Sequence, residues 1–193
     1  MAHYFTNDDI KSEEIKTKCI INGQTFCFIT DNGVFSKRGL DFGTRSLLEN
    51  IPIDNINGDV LDFGCGYGPI GIYISKNTKS NVDMIDINER AINLAHKNAL
   101  LNEVNVNIFK SDIYENVLKK YDYIITNPPI RVGKKILYEI LFKAYDYLKD
   151  NGVMYLVINK DQGAKSLIRD LKNKYKNVEY KKNKGFFIIC VTK

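Results

Sequence analysis

The nine residues Val60-Leu61-Asp62-Phe63-Gly64-Cys65-Gly66-Tyr67-Gly68 constrain this chain more than any other stretch. Val60 and Leu61 belong to a short buried strand, Asp62 ends it, and a glycine-rich turn carries the chain to Gly68. Pro69-Ile70-Gly71-Ile72-Tyr73-Ile74 then opens a helix. Glycines at the alternate positions 64, 66 and 68 allow positive φ and a close approach of the backbone to a ligand. A glycine-rich turn between a parallel strand and a helix is where doubly wound α/β folds bind nucleotides.

The rest of the chain supplies the repeating units that such a turn requires. From Asp59 onward strands are predicted over 59–63, 81–87, 104–110, 121–126 and 153–159, alternating with helices over 69–76, 89–101, 134–148 and 164–175. Asn88 is a good N-cap for the second of these helices, whose inner stripe is Ile92, Ala95 and Ala99. Such alternation implies a parallel sheet with helices on both faces. Residues 178–182 and 186–192 close the chain as a hairpin around Gly185. Ahead of the alternation, residues 14–21 and 24–30 flank Asn22-Gly23, a strong hairpin signal. Residues 33–44 read as a glycine-punctuated loop and 45–51 as a short helix halted before Pro52. The expected division is an N-terminal extension, 1–57, lying against a main domain, 58–193.

Composition narrows the class. A chain of 193 residues suffices for one substantial core. No apolar run reaches the roughly 18 residues of a membrane span, and residues 1–9 lack the apolar stretch of a signal peptide. A cytoplasmic protein is expected. The hairpin register pairs Cys19 with Phe26 and Cys27 with Lys18, so the two thiols face opposite sides and no disulfide is expected. His3 and His96 have no metal-binding companions, and no cysteine spacing resembles a zinc site. The net charge of +5 permits a nucleic-acid partner. Lys172, Lys174, Lys176, Lys181, Lys182 and Lys184, taken alone, read as a solvated surface. Lys37, Arg38, Arg45, Arg131, Lys134 and Lys135 lie beside the chemical motifs and point to a polyanionic substrate.

In open α/β sheets ligands bind beyond the carboxyl ends of the strands, where strand order reverses. Asp62, Asp86, Asp112 and Asn127-Pro128-Pro129-Ile130 stand at or just after four successive strand ends. A carboxylate at Asp62 would repel a pyrophosphate, yet it can accept hydrogen bonds from a cationic amino-acid end. That favours S-adenosylmethionine (SAM) over NAD. Asp86 follows Gly64 by 22 residues, close to the spacing at which an acidic residue reaches ribose hydroxyls. The two prolines fix φ and remove two backbone donors, which leaves a rigid loop presenting carbonyls. A planar exocyclic amine has two N–H donors, and the Asn127 side-chain carbonyl and Pro128 backbone carbonyl can accept both. Holding them would aim the nitrogen at a methyl donor, so positioning and carbonyl dipoles would carry the rate without a dedicated base.

Asp62-Phe63-Gly64-Cys65-Gly66-Tyr67-Gly68 resembles the first motif of class I SAM-dependent methyltransferases. Asn127-Pro128-Pro129-Ile130-Arg131-Val132-Gly133-Lys134 resembles the small-subunit ribosomal RNA guanine-N2 methyltransferases, as do Gly33-Val34-Phe35-Ser36 and Leu40-Asp41-Phe42-Gly43-Thr44. The likeness runs from about Gly33 to the C-terminus. Relatives acting on adenine N6 or glutamine usually carry an aromatic residue where this chain has Ile130. The resemblance implies a Rossmann-like class I methyltransferase sheet, mostly parallel with an antiparallel last strand, here preceded by a β-hairpin extension. It implies SAM contacts from Asp62, Gly64, Cys65, Gly66, Gly68, Asp86, Ile87, Asp112, Ile113 and Asn127, with Asp112 accepting from the adenine amine and Ile113 packing on the ring. Asn127, Pro128, Pro129 and Ile130 would be catalytic. Phe35, Arg38, Phe42, Arg131 and Lys134 would meet a guanine extruded from RNA against an aromatic or apolar wall. The expected partner is RNA, in ribosomal RNA or the small subunit, with neither membrane nor metal. Long family members carry a second, degenerate copy of the domain that this chain lacks, so the hairpin and basic residues would replace it in docking. Two other readings stand beside this one: methylation of a glutamine amide in a protein factor, and a catalytically silent SAM-binding partner subunit. Tyr67 is expected to cover the cofactor.

Overall fold

The computed structural model describes residues 11–37 and 39–193, with only the backbone of Arg131, so His3 and Arg38 lie outside the described residues. In chain order the elements are β1 (Ile15–Ile21), β2 (Gln24–Thr30), α1 (Phe42–Leu48), β3 (Asp59–Phe63), α2 (Pro69–Asn77), β4 (Asn81–Asp86), α3 (Glu89–Leu101), β5 (Asn107–Lys110) and β6 (Tyr121–Thr126). They continue with α4 (Lys134–Tyr147), β7 (Leu148–Asn159), α5 (Ala164–Leu171), β8 (Asn177–Asn183) and β9 (Phe186–Thr192). Seven strands form one sheet in the order β5-β4-β3-β6-β7-β9-β8. Neighbours from β5 to β7 run parallel, while β9 is antiparallel to β7 and β8 to β9. The expected α/β sheet with its antiparallel end is therefore present. Strand order reverses between β3 and β6, which puts the switch point beside the glycine turn.

Alternation along the central strands builds two cores. Val60, Val82, Met84, Ile125 and Val157 face α1, α2, α3 and the β1–β2 hairpin, while Leu61, Phe63, Ile85, Ile124 and Leu156 face α4 and α5. Asp62 shares the face of Val60 and is sealed beneath α2.

The hairpin has the predicted register, Cys19 opposite Phe26 and Lys18 opposite Cys27, with φ of +46° at Asn22 and +81° at Gly23. All four cysteines are unpaired. Phe26 and Phe28 seat the hairpin on Tyr73 and Tyr67, with ring centroids 5.7 and 5.5 Å apart. Two asparagines one turn apart, Asn98 in α3 and Asn102 at its C-cap, complete the joint. Asn102 exchanges hydrogen bonds with the Cys27 backbone (3.1 and 2.7 Å), and Asn98 does the same with Ile29 (2.6 and 2.9 Å). Alternate residues of β2 thus find on a helix the partners that a further strand would give.

Several boundaries differ from the sequence expectation, the first helix ending at Leu48 rather than Ile51 among them. The first helix begins at Phe42 rather than Arg45, because the Asp41 carboxylate accepts from the backbone of Gly43 (2.8 Å) and Thr44 (3.2 Å) and caps it. The third core strand begins at Asn107 rather than Val104. Residues 102–104 instead close α3, Glu103 bonding Leu100 and Val104 bonding Ala99 in a Schellman motif with Glu103 at φ +56°. Strand β7 begins at Leu148 rather than Val153, with residues 149–152 bulged out so that Lys149 reaches Asp59 and Asp122, both at 2.8 Å. Helix α5 stops at Leu171, and Asn173, Lys174 and Tyr175 continue it only as turns. Among the described residues no helix is long and apolar enough to cross a membrane.

Candidate active site

The glycine turn is fixed from three sides. The Cys65 amide donates to the Ile85 carbonyl (2.8 Å), which ties the turn to the end of β4. The Gly66 amide donates to Asp86 Oδ2 (2.8 Å), while the Asn88 amide donates to Asp86 Oδ1 (2.9 Å). Asn98 Nδ2 donates to the Tyr67 carbonyl (2.8 Å), so the residue that locks the hairpin also locks the turn. Gly64 and Gly66 have φ of +69° and +56°, and a Cβ built on either meets nothing within 4 Å. The space over the turn is thus open to a ligand that touches backbone. Gly68 and Gly71 serve packing instead. A Cβ at Gly71 would stand 2.6 Å from Met84 Cγ and Sδ, so glycine there lets α2 lie directly on β4.

Asp62 Oδ2 accepts from the Gly71 amide (2.8 Å) and so supplies the cap that Gly68 lacks, while its buried Oδ1 has no partner among the described residues. Burial pushes the Asp62 carboxyl up to about 8; the Gly71 hydrogen bond opposes this and the nearby Asp86 charge adds to it. Asp86 is raised too, by burial first, against hydrogen bonds from Asn88 and Gly66 that favour the ionised form. Two acidic groups, one with an unused buried oxygen, border the open turn. A ligand carrying a cationic amino acid and a ribose suits that set of acceptors.

Asp86 ends β4 and half-buried Ile87 follows it, while exposed Asp112 follows β5, anchored through the Ser111 amide on the Asp86 carbonyl (3.0 Å). Ile113 has φ +49°, a left-handed conformation rare for a β-branched residue and of the kind that collects at functional sites. Thr126 Oγ1 donates to the Phe63 carbonyl (2.8 Å), which joins the ends of β6 and β3 and sets Asn127 next to the start of the glycine turn. The Asn127 amide nitrogen donates to Thr44 Oγ1 (3.0 Å) and lies 3.4 Å from each Asp41 carboxylate oxygen. Asn127 Oδ1 accepts from none of the described residues. Pro128 is buried, and Ile130 opens a short 3₁₀ turn that packs on the α4 side of the core.

Around this centre the expected substrate residues are unevenly placed. Phe42, the first residue of α1, is 76% exposed, and Phe35 is 47% exposed, so both rings are available at the surface. Lys134 starts α4 with its ammonium 4.8 Å above the Tyr138 ring. Arg45 instead donates to the Ile20 carbonyl (2.6 Å) and pairs with Glu49, and Lys37 pairs with Glu13. Tyr67 does not cover the open turn: its ring is buried edge-on against Phe28 of the hairpin. Asp41, Thr44, Asn98 and Asn102 carried no role in the sequence reading. Asp41 was detectable as an N-cap two residues before Gly43, whereas nothing local marks the two asparagines.

Known proteins resemble this chain in sequence and in fold. The profile of the family described as methyltransferase small domain matches residues 25–190. The Bacillus subtilis (strain 168) protein YbxB, itself uncharacterized, is 40% identical over 99% of this chain and 98% of its own length. A ribosomal RNA small subunit methyltransferase C from Psychromonas ingrahamii is 32% identical over 95% of this chain, which spans only 54% of that protein. The solved T. thermophilus 16S rRNA N2 G1207 methyltransferase in complex with AdoMet and guanosine has a TM-score of 0.85 at 24% identity, covering 95% of this chain and 52% of that one. The chain thus spans about half the length of these ribosomal RNA enzymes.

Proposed function

Because the chain belongs to the methyltransferase small domain family, we propose that it transfers a methyl group to the exocyclic N2 amine of a guanine in RNA, specifically small-subunit ribosomal RNA. Its cofactor is S-adenosylmethionine, which when bound supplies an electrophilic methyl carbon on a sulfonium. The observation that carries the proposal is the loop Asn127-Pro128-Pro129-Ile130, which follows β6 at the switch point beside the open glycine turn. In this reading Gly64, Cys65 and Gly66 pass backbone close to the cofactor, whereas Gly68, expected to do so, packs on Ile72 and Met84; Asp62 faces the cofactor's amino-acid end, and Asp86 and Ile87 its ribose. Asp112 and Ile113 hold the adenine.

Asn127 Oδ1 and the Pro128 carbonyl accept the two N–H bonds of the substrate amine, which directs its lone pair to one side. As that nitrogen becomes cationic, the same two dipoles stabilise it, and the proton then leaves to water. Ile130 gives the base an aliphatic rather than aromatic support. Phe35 and Phe42 are the rings against which an extruded guanine stacks, with Arg38, Arg131 and Lys134 meeting phosphates. The N-terminal hairpin and the basic residues beside the motifs take part in docking the RNA.

The test is transfer of labelled methyl from SAM to small ribosomal subunits lacking their natural methylation, followed by nucleoside analysis. Label in N2-methylguanosine is expected. Label confined to glutamine of a protein factor, or no transfer despite SAM binding, overturns the proposal.

A further inference from the structure

The Asn127 carboxamide has two faces, and only one suits an amine substrate. With the oxygen outward it accepts an N–H; with the nitrogen outward it opposes one. The proline at position 128 fixes the backbone but leaves this rotation free. Something else must choose, and the neighbours of Asn127 do so. Its nitrogen is 3.0 Å from Thr44 Oγ1 and 3.4 Å from both oxygens of Asp41. A threonine hydroxyl can donate or accept and tolerates either orientation, whereas a carboxylate only accepts. Turning the amide over would put Asn127 Oδ1 against both carboxylate oxygens. Asp41 is itself immobilised, since its Oδ1 caps α1 through Gly43 and Thr44. Gly43 permits the close approach: a Cβ there would stand 3.0 Å from Asp41 Oδ1, 3.2 Å from Phe186 and 3.5 Å from Asn127 Nδ2.

We propose that Asp41, seconded by Thr44, is a positioning residue of the methyl transfer, holding the Asn127 amide nitrogen toward the α1 N-terminus so that its oxygen is presented to the substrate amine. This rests on the role given to Asn127 above. It also extends that role: one helix cap both starts α1 and selects for substrates that donate an N–H.

Asp41→Asn separates the two tasks. Asparagine caps as well as aspartate, so α1 is retained, but its new amide group favours the inverted Asn127. A fall in kcat of about 100-fold is expected, the scale of losing one preorganised polar contact, with SAM affinity and the KM for RNA within about threefold of wild type. Asn127→Asp places two carboxylates together and is expected to be at least as impaired. The double variant Asp41→Asn/Asn127→Asp restores a donor–acceptor pair with oxygen outward, and its kcat should exceed that of both single variants. A purely structural role for Asp41 would give no such rescue.

A second readout needs no substrate. The Asn127 side-chain NH₂ resonances, assigned by their loss in Asn127→Ala, should be protected from solvent exchange in the wild type and lose at least tenfold of that protection in Asp41→Asn. Unprotected resonances in the wild type, or absence of rescue in the double variant, overturn the inference even if N2-methylguanosine is formed. Protected resonances in a protein that methylates no RNA would support the positioning while refuting the substrate.

Discussion

Replacing Asn98 by alanine tests how the hairpin and the glycine turn are held together. The side chain is fully buried, accepts from the Ile29 amide (2.6 Å) and donates to the Ile29 and Tyr67 carbonyls (2.9 and 2.8 Å). Alanine leaves one buried N–H and two carbonyls without these partners, at about 1 kcal/mol or somewhat more for each. Its better helix propensity returns about 0.5 kcal/mol. The net loss is about 2.5–4 kcal/mol, a large share of a typical folding free energy of about 5–15 kcal/mol. Urea unfolding followed by circular dichroism should show the midpoint falling at constant slope. Asn102→Ala, which removes the corresponding pair on Cys27, should destabilise somewhat less. SAM affinity should fall more in Asn98→Ala than in Asn102→Ala, because only Asn98 reaches the glycine turn. A loss under about 1 kcal/mol for Asn98→Ala would mean that the Phe26 and Phe28 rings hold the hairpin unaided, and the reasoning fails.

Asp62 carries a pH prediction. Because burial first of all raises its carboxyl from 3.8 to about 8, the folded chain holds a proton that the unfolded chain has already released. The stability this contributes is fully present below the unfolded value near 3.8 and is lost as pH rises to about 8. In the absence of SAM, the wild type should therefore weaken relative to Asp62→Asn across that window and level off above it; urea midpoints that keep a constant difference would show that the side chain does not titrate there. Phe42→Ala should raise the KM for RNA about tenfold or more, the scale of one base–aromatic stack. The thermal midpoint should hold, since this ring is 76% exposed. An unchanged KM would place the stacking wall elsewhere.

The sheet was legible because its strands are short apolar runs alternating with helices. The predicted Glu89–Leu101 helix, with Asn88 at its cap, coincides with α3. The differences arise where a side chain acts at a distance or a residue adopts an unusual backbone. Asp41 starts a helix across a glycine, Glu103 takes a left-handed cap without being glycine, and Lys149 draws a bulge toward two aspartates on neighbouring strands. The candidate site divides in the same way. Gly64, Gly66, Asp86 and Asn127 follow from strand ends in sequence order, and the structure gathers them at one end of the sheet. The grip of Asp41 on Asn127 spans 86 residues and that of Asn98 on Ile29 spans 69. Neither can be read from spacing. Tyr67 shows the converse: a ring beside the ligand loop looked like a lid, but the hairpin offered it a buried partner.

The most direct measurement is the N2-methylguanosine content of small-subunit ribosomal RNA from cells with the gene intact, deleted, and restored as wild type or as Asn127→Ala. Deletion should remove the modification from one guanine, the wild-type gene should return it, and the Asn127→Ala gene should not, although its product still binds SAM. Ribosomal RNA whose N2-methylguanosine is the same in all four strains would contradict an RNA guanine-N2 methyltransferase built around Asn127.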